Sequence, residues 1–252
     1  MGLWTLTHFW GIIPAFIVFA GIAVLLGFLL KNRSDTVKIW ILRSIAIIIL
    51  VLEVLKQVIS FSRGYDLYHL PFHYCSLFLY LLPLHSFASP KLKKYVDGIT
   101  FMSCSSLFIF FLVVPTILYP ESAITNYFKE FFDFHTVTFH HLVILYLFLA
   151  IAFKQFTLKV KRDFSICAII LSAYVIVATI LSYTLSVNFQ NLRTCNLGAV
   201  ENIRIAMNDA IGWVGQAIYI FLIFIFTTLF GYFAYFLINL FYKNVLLRKQ
   251  QN

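Results

Sequence analysis

The sequence predicts an all-α membrane protein: a seven-transmembrane-helix bundle, polytopic, with its N-terminus outside the cytoplasm and its C-terminus inside. Three observations predict it. Hydrophobic residues make up 62% of the 252, charged residues only 12%, and mean hydropathy is +0.90, whereas soluble domains are near half apolar and about a quarter charged. The apolar residues fall in long runs separated by short polar breaks, as bilayer crossings of about 20 residues require. The Lys and Arg residues collect in alternate breaks, as the positive-inside rule demands.

The first run, from Phe9 to Leu30, has no Lys or Arg before it and is followed by Lys31 and Arg33. It is too long for the core of a cleaved signal peptide and reads as a retained helix. Further spans are predicted at 38–61, 71–88, 98–119, 138–153, 165–187 and 213–242. The third and fifth are short and carry His near one end, so they start in the headgroup zone or a wet cavity; the last is long enough to tilt. No repeat, low-complexity tract or linker divides the chain, so residues 1–252 read as one transmembrane helical domain.

Thirteen basic residues (Lys31, Arg33, Lys38, Lys91, Lys93, Lys94, Lys154, Lys159, Lys161, Arg162, Lys243, Arg248 and Lys249) fall on one side of this bundle. Four fall on the other, at Arg63, Lys129, Arg193 and Arg204, which places loops 62–70, 120–137 and 188–212 outside. Scattered between apolar runs, the formal charge of +9 reads as membrane anchoring and excludes nucleic acid as the partner. Membrane lipids are the expected partners, and a multi-pass position in the cell (plasma) membrane is the expected location.

Polar groups set against the lipid trend point to function. His8, His69, His73, His135, His140 and His141 gather on or near the outer side, while His85 lies at the inner end of the third span. The third span opens Tyr68-His69-Leu70-Pro71-Phe72-His73-Tyr74-Cys75-Ser76, where Pro71 suits a first helical turn. On such a helix Cys75 is rotated well away from His73, so a base for its thiol must come from another helix. The fifth span offers His135, His140 and His141 at the same outer level. A thiol and an imidazole at one depth are the minimum kit for a Cys nucleophile with a His base; a small buried Cys among anchoring His is the plain alternative.

In the second span Glu53 and Gln57 share a face and Lys56 is three residues from Glu53, making an internal ion pair available. It serves either as a structural polar cluster or to polarise a site. Cys104 and Cys167 fall mid-span and read as core, while Cys195 shares the outer side with Cys75, so a Cys75–Cys195 disulfide rivals catalysis. The His residues lack accompanying carboxylates at ligand spacing, so neither a metal nor any other cofactor is expected. In the long last outer loop, Arg193 and Arg204 could meet a lipid phosphate.

The stretch Leu70-Pro71-Phe72-His73-Tyr74-Cys75-Ser76-Leu77 resembles the YwaF family, related to animal transmembrane protein 164. That family carries Leu-Pro-x-His-x-Cys at the head of a helix and a His opening a later helix, which Phe139-His140-His141-Leu142 could supply. The resemblance implies acyltransferase-like or lipid-hydrolase-like activity through a Cys and a His; the animal relatives move an acyl chain between phospholipids through that Cys. The Cys would be Cys75 and the His either His140 or His141. The family's Asn-Tyr stretch near the last outer loop is not evident, and Asn196-Leu197-Gly198 stands in its place.

Two function classes follow. In the first, a lipid acyltransferase or hydrolase acts near the outer face on a phospholipid or lysophospholipid, with Cys75, His140 or His141, and His73 at the reacting centre. Glu53, Lys56, Gln57, His69, Arg193 and Asn196 would then bind substrate. In the second, a non-enzymatic transporter or small-molecule- or lipid-binding protein uses a polar cavity around Glu53 and Lys56.

Overall fold

The computed structural model describes residues 4–243 and, among them, is built of helices and turns without strands. Ten α-helices follow in order: α1 Leu6–Leu29, α2 Asp35–Ser62, α3 Leu77–Phe87, α4 Pro90–Val113, α5 Pro115–Leu118, α6 Glu121–Thr125, α7 Phe131–Ala152, α8 Val160–Thr184, α9 Gly198–Ile211 and α10 Trp213–Phe241. Short 3-10 turns occupy Leu67–His69, Tyr74–Ser76 and Phe189–Asn191. Among the described residues, five helices (α1, α4, α7, α8 and α10) are long and apolar enough to cross a membrane, as the composition requires of an integral membrane protein. Helix α2 has 28 residues but carries Lys38, Arg43, Glu53 and Lys56. The basic tail at Arg248 and Lys249 lies outside the described residues.

Helix α4 is the hub, packing on α3, α7, α8 and α10. In its apolar stretch 78% of residues are buried, against 17% in α1 and α8, so α4 is the core and those two present apolar flanks outward. Its run Ser103-Cys104-Ser105-Ser106 and Gly98 supply the small side chains that let membrane helices approach closely. Helix α7 contacts α1, α2, α4 and α6, which gives its histidines several different neighbours.

Each predicted span falls on a helix, but several boundaries need correction, the sixth span running Val160–Thr184 rather than 165–187. The third does not begin at Pro71. Leu70 is extended (φ −58°, ψ 140°) because proline clashes with a helical predecessor, and the chain turns helical only at Tyr74, becoming α-helical from Leu77. His73 and Cys75 therefore never share an α-helix, and their helical separation does not apply. The fourth span begins at Pro90 rather than 98 and ends at Val113, ahead of Pro115, rather than at Tyr119. The fifth begins seven residues early, at Phe131 rather than 138, so His135, His140 and His141 are interior to α7 and buried, not interfacial anchors. Residues 188–212, read from the sequence as a loop, contain a helix of their own, α9.

Candidate functional site

The segment carrying Cys75 is held by its carbonyls. Tyr174 of α8 donates its hydroxyl to the His73 carbonyl at 2.8 Å, and Gln190 donates its amide to the Phe72 carbonyl at 3.0 Å. The His73 ring donates Nε2–H to the Tyr68 carbonyl at 3.0 Å and meets the Phe189 ring edge-on, so it is committed to holding the turn. Cys75 packs against the apolar core with Tyr74. All four cysteines are free, which disposes of the Cys75–Cys195 disulfide.

On α7, His140 and His141 each use Nδ1 in the same way. A ring nitrogen facing a carbonyl must carry the proton, so Nδ1–H donates to the Thr136 carbonyl (2.7 Å) and the Val137 carbonyl (2.8 Å) respectively. At His140 this leaves Nε2 as a basic lone pair. That lone pair is buried and without a hydrogen-bond partner, among Phe111, Tyr119 and Phe139. His141 instead lies among Phe16, Phe19 and Phe111 and also faces the backbone carbonyl of Gly11. Among the described residues, no hydrogen bond joins Cys75 to either ring.

The third histidine of α7 faces α2. His135 Nε2 stands 3.3 Å from Glu53 Oε2, an ion-pair distance, although the ring is off the line of a good hydrogen bond. Glu53 also holds Lys56 at 2.7 Å and accepts from Gln57 Nε2 at 2.7 Å. Gln57 continues to the His69 carbonyl (2.8 Å) and accepts from the Tyr65 hydroxyl (2.7 Å), while Ser60 bonds His69 Nδ1 at 2.6 Å. Glu53, Lys56, Gln57 and His69 thus form one closed network tying α2 to α7 and to the 63–76 segment. Burial and the nearby Lys56 hold the His69 ring below its ordinary pKa.

Sequence reading passed over two other clusters. His8 is fully buried, donating to the Tyr119 carbonyl (3.1 Å) and accepting from Thr5 (2.8 Å), which pins the start of α1 to the 114–120 segment. At the opposite end, His85 bonds Tyr146 at 2.7 Å and lies 3.2 Å from Asp97, which Lys93 also meets at 2.7 Å and the Thr157 N–H at 2.8 Å. The i,i+4 spacing of Lys93 and Asp97 was the available signal.

In the 188–212 segment, Arg204 is paired with Glu201 at 2.5 Å, and Arg193 lies 5.8 Å from the Tyr183 ring centroid. Asn196 is exposed, just ahead of α9.

A family model described as the TMEM164 family matches residues 3–233. No curated protein and no solved structure matches the chain.

Proposed function

The chain belongs to the TMEM164 family, and from that premise we propose that it is a membrane-embedded lipid acyltransferase or hydrolase with Cys75 as nucleophile and His140 as base. The observation that carries this reading is the His140 ring: Nδ1 is tied to the Thr136 carbonyl and the buried Nε2 is without a partner. An imidazole fixed in one tautomer with an unused basic nitrogen is prepared to take a proton. Between the two histidines left open by the resemblance, this favours His140, since His141 also faces the Gly11 carbonyl.

The chemistry runs in two displacements. His140 Nε2 takes the Cys75 thiol proton as sulfur attacks the ester carbonyl of a phospholipid. The tetrahedral intermediate collapses, its C–O bond breaks, and the lysolipid alkoxide leaves with the proton from His140, giving an acyl-thioester on Cys75. A lysolipid hydroxyl or water then attacks the thioester, His140 takes the incoming proton, and the thiol regains it as the new ester or free acid departs. Backbone N–H groups at the start of the Tyr74–Ser76 turn are the proposed donors to the oxyanion. His73 is not assigned that task, because its ring donates to Tyr68. Catalytic hydrogen bonds often form only with substrate present, so approach of Cys75 to His140 belongs to the loaded enzyme.

The proposal includes seven crossings with the N-terminus outside, placing the Cys75 turn near the outer face. The helix from Tyr74 to Phe87 has 14 residues, about 21 Å at 1.5 Å per residue, less than the ~30 Å hydrocarbon core. The non-helical 70–73 segment supplies the remaining depth, and its Phe72 and His73 carbonyls are satisfied by Gln190 and Tyr174, as irregular backbone at membrane depth requires. The test is labelled phospholipid given to purified protein and to Cys75→Ala. Turnover falling by ~10³-fold or more is expected; undiminished turnover removes the proposal.

A further inference from the structure

Between the end of α8, residues 186–194 and the α9–α10 junction lies a cavity of about 500 Å³. Most of its polar lining is already committed. Arg204 donates Nε and Nη2 to Glu201 at 2.8 and 2.5 Å, and Nη1 to Gln216 Oε1 at 2.9 Å. Gln216 Nε2 donates to the Leu192 carbonyl at 2.8 Å, which fixes which end of that amide is nitrogen. The Asn208 atom lying 2.9 Å from Gln216 Oε1 is therefore Nδ2, and Asn208 Oδ1 is left buried without a hydrogen-bond partner.

Arg193 is the other unmet group. Among the described residues its guanidinium is paired with no carboxylate, and it rests 5.8 Å from the Tyr183 ring centroid. Its backbone is fixed, because its N–H donates to Asn188 Oδ1 at 3.0 Å. The cavity thus offers a held cation lacking a counter-anion and, beside it, an acceptor lacking a donor.

We infer that this cavity binds a phosphate group whose carrier has a hydrogen-bond donor close by: phosphate on the Arg193 fork, donor on Asn208 Oδ1. Trp213 also lines the cavity and is 81% exposed, and Ile203, Ile211 and Leu197 of the α9 region are exposed as well. Tryptophan in such company marks the lipid–water boundary, the depth at which lipid phosphodiesters lie; a free phosphate ester offers the same chemistry from solution. The lipid arm of this inference rests on the phospholipid reading above, and its readout is binding rather than Cys75 turnover.

Native mass spectrometry of the full chain in detergent tests it with defined probes. Phosphatidylglycerol, with phosphate and hydroxyl donors, is expected to be retained, whereas diacylglycerol is not. Phosphatidylcholine, lacking the donor, is expected to be retained less well, a difference that Asn208→Leu erases. Arg193→Gln is expected to weaken phosphatidylglycerol binding about tenfold, one well-placed charged contact's worth, with Arg193→Lys intermediate and Arg63→Gln unchanged. Competition by millimolar glycerol 3-phosphate assigns the site to soluble phosphate esters, and no competition assigns it to lipid. Equal retention of diacylglycerol, or unchanged binding in an Arg193→Gln protein that still elutes as folded, overturns the inference.

Discussion

Neighbouring histidines on α7 differ in what is left over once their Nδ1 protons are bound. His140 retains a buried, unpartnered Nε2, while His141 is packed on Phe16 and Phe19 of α1. His140→Gln is therefore expected to lower acyl turnover by ~10²–10⁴-fold, the usual range for a general base, whereas His141→Gln lowers stability more than turnover. Parallel turnover and thermal-unfolding measurements on the two variants check this, and equal turnover losses would sink the assignment. Glu53 offers a second test. It anchors Lys56, Gln57 and His135, and removing one partner of a buried ion network strands the others. Glu53→Gln is expected to cost roughly 3 kcal/mol, read as a lowered unfolding temperature in detergent. The pairing of Glu53 with Lys56 and Gln57 was legible in the sequence because it is set by helix spacing. Its link to His135 was not, since that depends on how α2 packs against α7.

Helix existence was legible from the apolar runs; helix ends were not, because hydropathy does not distinguish a buried turn from a buried helix. Residues 70–76 show this: their side chains suit a membrane interior, yet Pro71 keeps Leu70 extended. Close helix approaches were equally hidden. A Cβ added to Gly98 of α4 would lie 2.5 Å from Asp163 Cβ of α8, whereas one on Gly231 of α10 would meet only the Met102 side chain, at 3.1 Å. Gly98→Ala is expected to destabilise by roughly 1–3 kcal/mol through overpacking, and Gly231→Ala by less, since a Met side chain can move. Thermal unfolding of the two variants compares them. In α9, the Arg204 guanidinium holds the Glu201 carboxyl at a pKa of about 2, down from 4.5. A depressed carboxylate pKa stabilises the fold above the unfolded value and loses that contribution as pH falls through the folded one. The stability gap between the native protein and Glu201→Gln should therefore be constant above about pH 5 and close between about 4.5 and 2; a gap independent of pH contradicts the pairing.

For the whole molecule, the sequence made the membrane character plain, since so much apolar surface has no other place to go. The assembly around α4 was not legible, because it rests on which small residues face which neighbour. The proposed topology predicts that Asn196→Cys, in a Cys195→Ser background, reacts with a membrane-impermeant maleimide on intact cells, while Lys159→Cys reacts only after permeabilisation; the reverse pattern inverts the bundle. Of the proposed site, the residue types were visible in the sequence, but preferring His140 to His141 rests on the neighbours of each ring. The most direct test of the account is peptide mass spectrometry of the purified protein after incubation with a labelled phospholipid. It predicts a labelled acyl group on Cys75, released by neutral hydroxylamine as a thioester is. Lipid turnover proceeding with Cys75 unmodified at every time point, and undiminished in Cys75→Ala, would contradict it.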